Sequence, residues 1–245
     1  RMNSGRQIWS LAEPNIHRIA CHRNISVTSV LSLLEFEKND CKIFSMPRLS
    51  LALLGPPIIT LDGSAIAFKT QKVQVLLSFL VVESTYPHRR EELTGLLWPE
   101  QPEEAARANL RMSLHRLRDA LQEQDPAPFL HITRDAMQFN VQSDHWLDVS
   151  TFQTLILECQ QHTHDRLETC EECGARLAQA VDLYRGDFLA GVALYESETF
   201  EEWVLVQRES LRRQALGALQ SLAAYHEKPG GYVLLCHTPR KQLEL

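Results

Sequence analysis

Arg107, Arg111, Arg116 and Arg118 stand on one short stretch with Asn109 and His115 among them. Asp119 is the only acid between positions 105 and 121, so four basic residues minus one acidic give this stretch +3 within a chain of formal net charge −6. Guanidinium groups pair with phosphate oxygens and make bidentate contacts to guanine, and a carboxamide can pair with an adenine edge. The set suits a helix lying in the major groove of duplex DNA, and Arg107, Asn109, Arg111, His115, Arg116 and Arg118 are its candidate contacts. A second group is Cys159-x-x-His162-x-His164 followed by Cys170-x-x-Cys173. Side chains three apart share a helix face, and a C-x-x-C turn brings two thiolates together. Cys159, His162, Cys170 and Cys173 are therefore candidate ligands of a closed tetrahedral zinc site, with His164 competing for the place of His162. A closed site has no open position, so the metal would be structural, and no catalytic cofactor is required.

A charge run is often no more than a solvated helix face, so the elements around the arginines decide between the readings. Leu110, Leu114, Leu117 and Leu121 fall at i, i+4, i+7 and i+11, which makes one narrow buried stripe on a helix from about Pro102 to Leu121. Before it, Leu49, Leu51 and Leu53 alternate with smaller residues, and Ile58–Leu61 and Ala65–Phe68 flank Asp62-Gly63, the strongest short hairpin signal. Thr70 is placed to cap a helix carrying Val73, Leu76, Leu77 and Leu80, and a short helix over Arg89–Leu97 is stopped by Pro99. After the arginine helix, Phe129–Thr133 and Met137–Asn140 flank Arg134-Asp135 as a second hairpin. Strands, three helices and a hairpin follow the order of a winged helix-turn-helix, in which the third helix reads DNA. Arg134 is then the candidate contact of the wing.

Beyond Trp146 the pattern is helical over about 150–164, 171–185 and 199–227. Gly186 is expected to stop the second of these in the left-handed conformation, with Phe188 and Leu189 returning to the core. The expected fold is mainly α with a small β component. An irregular leader over 1–45 precedes a winged helix-turn-helix domain over 46–145 and an all-α, tetratricopeptide-like helical domain over 146–245. Met46 is expected as the natural start, and Cys236 and Pro239 stand where a second repeat helix would be usual, so the C-terminus is expected to be a truncated reading of a longer regulator.

The 245 residues are 44% hydrophobic and 23% charged, which fits a soluble globular chain. No apolar run approaches the roughly 20 residues of a membrane helix. Six cysteines without an export signal point to a reducing, cytoplasmic setting. There is no G-x-x-x-x-G-K-[ST], G-x-S-x-G or H-E-x-x-H, so no enzyme is expected.

The motifs Leu51-Ala-Leu-Leu-Gly55, Asp62-Gly63, Lys69-Thr-Gln-Lys72, Arg90-Glu-Glu-Leu93, Leu97-Trp-Pro99, Ala105-Ala-Arg107, Asn109-Leu-Arg111 and Leu114-His-Arg-Leu-Arg118 resemble the SARP-type antibiotic-regulatory transcriptional activators, whose DNA-binding domain is an OmpR-like winged helix. Leu183-Tyr-Arg-Gly-Asp-Phe-Leu189, Gly191 and Phe200-Glu-Glu-Trp203 resemble the bacterial transcriptional activator domain that follows it in that family. The resemblance runs over about residues 48–228. It implies a sequence-specific activator that binds direct repeats in promoters as two copies side by side and contacts RNA polymerase. The segment Trp98–Glu103 is the candidate polymerase contact, with Trp98 itself expected as a core anchor. The competing reading is a tetratricopeptide-like protein-interaction scaffold whose winged-helix half does not read DNA.

Overall fold

The computed structural model describes residues 48–123, 129–163 and 170–226. The expectations for the leader, for His164 and for the segment beyond His226 lie outside them. No helix among the described residues is long and apolar enough to cross a membrane.

The fold is mainly helical with two small sheets, a winged helix-turn-helix followed by a helical domain. Alternation in the first leucine run makes β1 (Leu49–Ala52), whose Leu49 and Leu51 face the core. It pairs antiparallel with β2 (Ile58–Leu61), Leu51 opposite Ile59. Asp62 and Gly63 both take positive φ (50° and 78°) and turn the chain into β3 (Ser64–Ala65), the hairpin that their residue types favour. Helix α1 (Gln71–Val82) buries eight of its twelve residues and runs through the centre rather than presenting one face. Thr70 occupies its N-cap position, but the hydroxyl makes no capping bond.

Strand β4 (His88–Arg89) leads into α2 (Arg90–Leu97), and α3 (Glu103–Ala120) follows the Pro99–Pro102 break. The wing is β5 (Leu130–Ile132) paired with β6 (Ala136–Phe139), and β4 adds a third strand to it, His88 opposite Met137. Strand β7 (His145–Leu147) then returns to the first sheet beside β1 in parallel register, giving the order β3-β2-β1-β7. The remaining helices are α4 (Asp148–Gln161), α5 (Glu171–Leu183) and α6 (Glu198–His226).

One apolar core runs from Leu49 in the first strand to Ala215 in the last helix. The expected division after position 145 therefore falls inside a sheet and inside a core. Several contacts hold the junction. The Asp148 carboxylate is 1% exposed and accepts the backbone N–H groups of Leu53, Leu54 and Val149, each at 2.8 Å. The segment Arg185–Ala190 hydrogen-bonds back onto Leu53–Gly55: the Leu189 N–H donates to the Leu53 carbonyl at 2.9 Å and the Gly55 N–H to the Asp187 carbonyl at 3.1 Å. On α6, the Trp203 indole donates to the Glu83 carboxylate at 2.8 Å and packs edge-on against Phe79 and Phe188.

Gly186 does not end α5 in the left-handed helical conformation. The helix stops at Tyr184 in extended backbone, and Gly186 has φ 153°. Its use is that positive φ, since a Cβ there would make only an ordinary 3.7 Å contact with the Cα of Gly55; close approach applies at Gly55, itself at φ 116°, where a Cβ would sit 3.1 Å from the Cβ of Arg185. Phe188 and Leu189 do return to the core and are fully buried.

Asp148→Asn is expected to lower stability by about 1–3 kcal/mol, because an amide NH2 in place of Oδ2 would face the Leu54 N–H and leave that donor unpaired. Urea denaturation of the full chain measures this as a lower midpoint at unchanged slope.

Candidate nucleic-acid interface

Helix α3 begins beyond Pro102, whose carbonyl accepts the Ala106 N–H at 2.9 Å. Glu103 and Glu104 occupy the first turn, where the helix end is positive. Leu110, Leu114, Leu117 and Leu121 are all buried, which fixes the rotation of the helix and leaves its other faces to solvent. Arg107, Arg111, His115 and Arg118, at i, i+4, i+8 and i+11, share one of these faces. They form one wall of a cleft of about 730 Å³ whose other walls are the first turn of α2 (Arg90, Glu91) and the hairpin (Ile132, Arg134, Asp135). Five arginines face two acids across this cleft.

The structure sorts the residues expected to touch DNA. It brings Arg107, Arg111, His115, Arg118 and Arg134 together. Asn109 and Arg116 lie about half a turn around the helix from the cleft, both half-buried, and the Asn109 amide donates to Gln101. Arg107 is shared between Glu91 at 3.3 Å and Glu103 at 2.6 Å. Arg118 reaches the buried Glu123 carboxylate at 3.4 Å. Burial pushes that carboxyl upward, while Arg118 and the N–H groups of Phe129 and Leu130 pull it back. Arg118 thus ties the end of α3 to the start of the hairpin. His115 faces Asp119 at 3.6 Å. Among the described residues Arg90, Arg111 and Arg134 form no ion pair, and Arg90 is turned to the Thr133 carbonyl, so Arg111 and Arg134 are the positive charges most open to an anion in the cleft.

Arg90 is the member that sequence reasoning missed. Within Arg89-Arg-Glu-Glu92 it reads as part of a charge-balanced helix start. Its N–H donates to the Asp135 carbonyl at 3.0 Å and its guanidinium to the Thr133 carbonyl at 3.1 Å, which carries it to the base of the wing. Trp98, by contrast, is buried beneath Lys72, whose ammonium sits 5.2 Å from the ring centre. Of the expected polymerase loop Pro99–Glu103 are exposed.

Of the expected metal ligands, the structure gathers three: the donor atoms of His162, Cys170 and Cys173 all lie within 4.8 Å of one another. The Cys159 thiol is buried beside them and points at the Cys173 carbonyl, 3.7 Å away. Burial, the Cys170 thiol and Cys159 push Cys173 up to about 12.

Comparison with known proteins now bears on both halves. Residues 147–233 match the family described as the bacterial transcriptional activator domain. In this chain the matched segment follows the winged helix, the order that the sequence resemblance implied. The transcriptional regulatory proteins EmbR of Mycobacterium bovis and Mycobacterium tuberculosis are 35% identical over 74 residues, which is 30% of this chain and 19% of theirs. A solved structure of Mycobacterium tuberculosis EmbR in complex with a low-affinity phosphopeptide shares the fold at a TM-score of 0.56 and 21% identity. That likeness covers 71% of this chain and 45% of the EmbR chain, so the chain spans less than half the length of the relative it resembles.

Arg90→Ala should loosen the hairpin without disturbing α3. Amide hydrogen exchange is expected to quicken across residues 130–139 and to stay unchanged over the leucine stripe of α3.

Proposed function

We propose that this chain is a sequence-specific DNA-binding transcriptional regulator that works as an activator. The observation that carries the reading is the cleft in which Arg90, Arg107, Arg111, Arg118 and Arg134 converge from three separate elements, in a chain that is acidic overall. A merely solvated basic face would need only one helix to supply it. In this reading α3 lies in the major groove with Arg111 and His115 toward the base edges. Arg134 on the wing meets the backbone or the adjacent minor groove, where a narrow groove concentrates negative potential. Arg107 contributes less, since phosphate must compete with Glu91 and Glu103 for it.

Two copies on direct repeats, spaced by about one helical turn or 10–11 base pairs, would place both reading helices on the same face of the duplex. The helical half then supplies the protein contacts that make the second binding event nearly intramolecular. RNA polymerase is the proposed partner of the activated promoter complex, met through the exposed Glu100–Glu103 edge rather than through Trp98.

Salt titration of the full chain on duplex DNA selected from a random pool tests the reading. Neutralising about four phosphates predicts log K falling with log salt at a slope near −3.6, and Arg111→Ala or Arg134→Ala should each shallow that slope by about 0.9. Arg134→Ala should weaken all sequences alike, whereas Arg111→Ala should also relax preference at one position. Arg116→Ala and Asn109→Ala should cost less than either. Binding that ignores salt, or that Arg111→Ala leaves untouched, would favour a protein-interaction scaffold instead.

A further inference from the structure

We infer that His162, Cys170 and Cys173, with Cys159 as the fourth ligand, bind one zinc ion that pins the end of α4 to the start of α5. The His162 Nδ1 lies 3.1 Å from the Cys173 sulfur and 3.4 Å from the Cys170 sulfur. Around a tetrahedral zinc with metal–sulfur and metal–nitrogen bonds of about 2.3 and 2.0–2.1 Å, a nitrogen and a sulfur ligand stand about 3.5 Å apart. The three side chains already occupy one triangular face of such a site. A single imidazole lone pair aimed at two thiols cannot bond well to both, and a cation at the centre answers all three donors together.

The other imidazole nitrogen carries an independent mark. Nε2 of His162 faces the Glu172 carboxylate at 3.6 Å. Ligating histidines hold their second nitrogen against a carboxylate or carbonyl in this way, which keeps the proton on the far nitrogen and turns the lone pair to the metal. Glu172 is itself held by Arg176, which also pairs with Glu158 on α4 at 3.1 Å, so the support bridges the same two helices as the ligands. Cys170 occupies the N-cap of α5 and Cys173 its first turn, so both sulfurs stand at the start of that helix. Cys159 is one helical turn before His162, buried, with its sulfur against the backbone of Cys173.

The surroundings give the metal a structural task. Around the thiols lies a second, small apolar cluster of Leu177, Val181, Ala218, Leu219 and Leu222, separate from the main core. A core of that size contributes little stability, and the free energy of zinc binding adds directly to folding.

The test uses the full chain, purified under reducing conditions without added metal. Elemental analysis should find about one zinc per chain. After removal of zinc, added cobalt should develop the visible bands of a tetrahedral site together with thiolate-to-cobalt charge transfer. Cys170→Ser and Cys159→Ser should each reduce that charge transfer by about one third, as three thiolates become two. Glu172 is exposed, so Glu172→Gln leaves the fold intact and should weaken zinc about 10-fold or more through the imidazole alone. A folded chain that carries no zinc and takes up no cobalt overturns the proposal, and so does recovery of Cys170 and Cys173 as a disulfide. Full charge transfer in Cys159→Ser would remove Cys159 from the ligand set and so overturn the four-ligand assignment.

Discussion

Asp148 sits almost wholly inside the protein, and its two carboxylate oxygens take the amide protons of Leu53, Leu54 and Val149, joining the first residue of the helical half to the end of the first strand. Each of those amides would cost about 1–3 kcal/mol if left buried and unpaired, against a total stability of about 5–15 kcal/mol for an ordinary domain. The buried charge is not left alone. Arg185 approaches Oδ2 at 3.8 Å while donating to the carbonyls of Ala52 and Pro56. For Arg185 to come that close, position 55 must lack a side chain, and the chain turns there through Gly186 at a φ of 153° that favours glycine. Carboxylate, guanidinium and two glycines thus form one mutually dependent joint.

That joint has a consequence for how a DNA contact would be transmitted. Lys72 on α1 reaches both the Leu97 carbonyl and Glu196, the Ser197 hydroxyl donates to the Leu96 carbonyl, and Arg208 on α6 donates to the carbonyls of Phe188 and Leu189. The two helices before α3 are therefore bonded to the residues that lead into α6, and Trp203 and Gln207 of α6 itself donate to Glu83 at the end of α1. The match to the activator-domain family begins at position 147, yet the packing is continuous across it. Helix α3 and the helical half share one packed core, as two copies arranged side by side on DNA would need.

Much of this was legible where the signal is local. The leucine stripe of α3, the Asp62-Gly63 turn and the hairpin around Arg134 each depend on residues within a few positions of one another, and periodicity or turn chemistry declares them. The Cys/His string was legible for the same reason, since i, i+3 spacing suffices to put two donors on one face. What escaped depends on distant pairing. Strands β4 and β7 have two and three residues, too few to alternate, and exist because β6 and β1 offer them free edges. Arg90 joins the cleft only through the carbonyls of the wing. Asn109 and Arg116 carry the right chemistry on a different face of the helix, because the rotation of α3 is set by its leucines and not by its charges. The Leu51–Gly55 and Arg185–Leu189 motifs were each visible, but not that each is the other's binding site.

Native-state hydrogen exchange in increasing denaturant tests the shared core most directly. The slowest amides of β1, of the α3 leucine stripe and of α6 around Trp203 should converge on one global opening free energy with one denaturant dependence. Release of the β1 and α3 amides at a lower free energy than those of α6 would mean two independently folding halves, and would contradict a single unit held at Asp148.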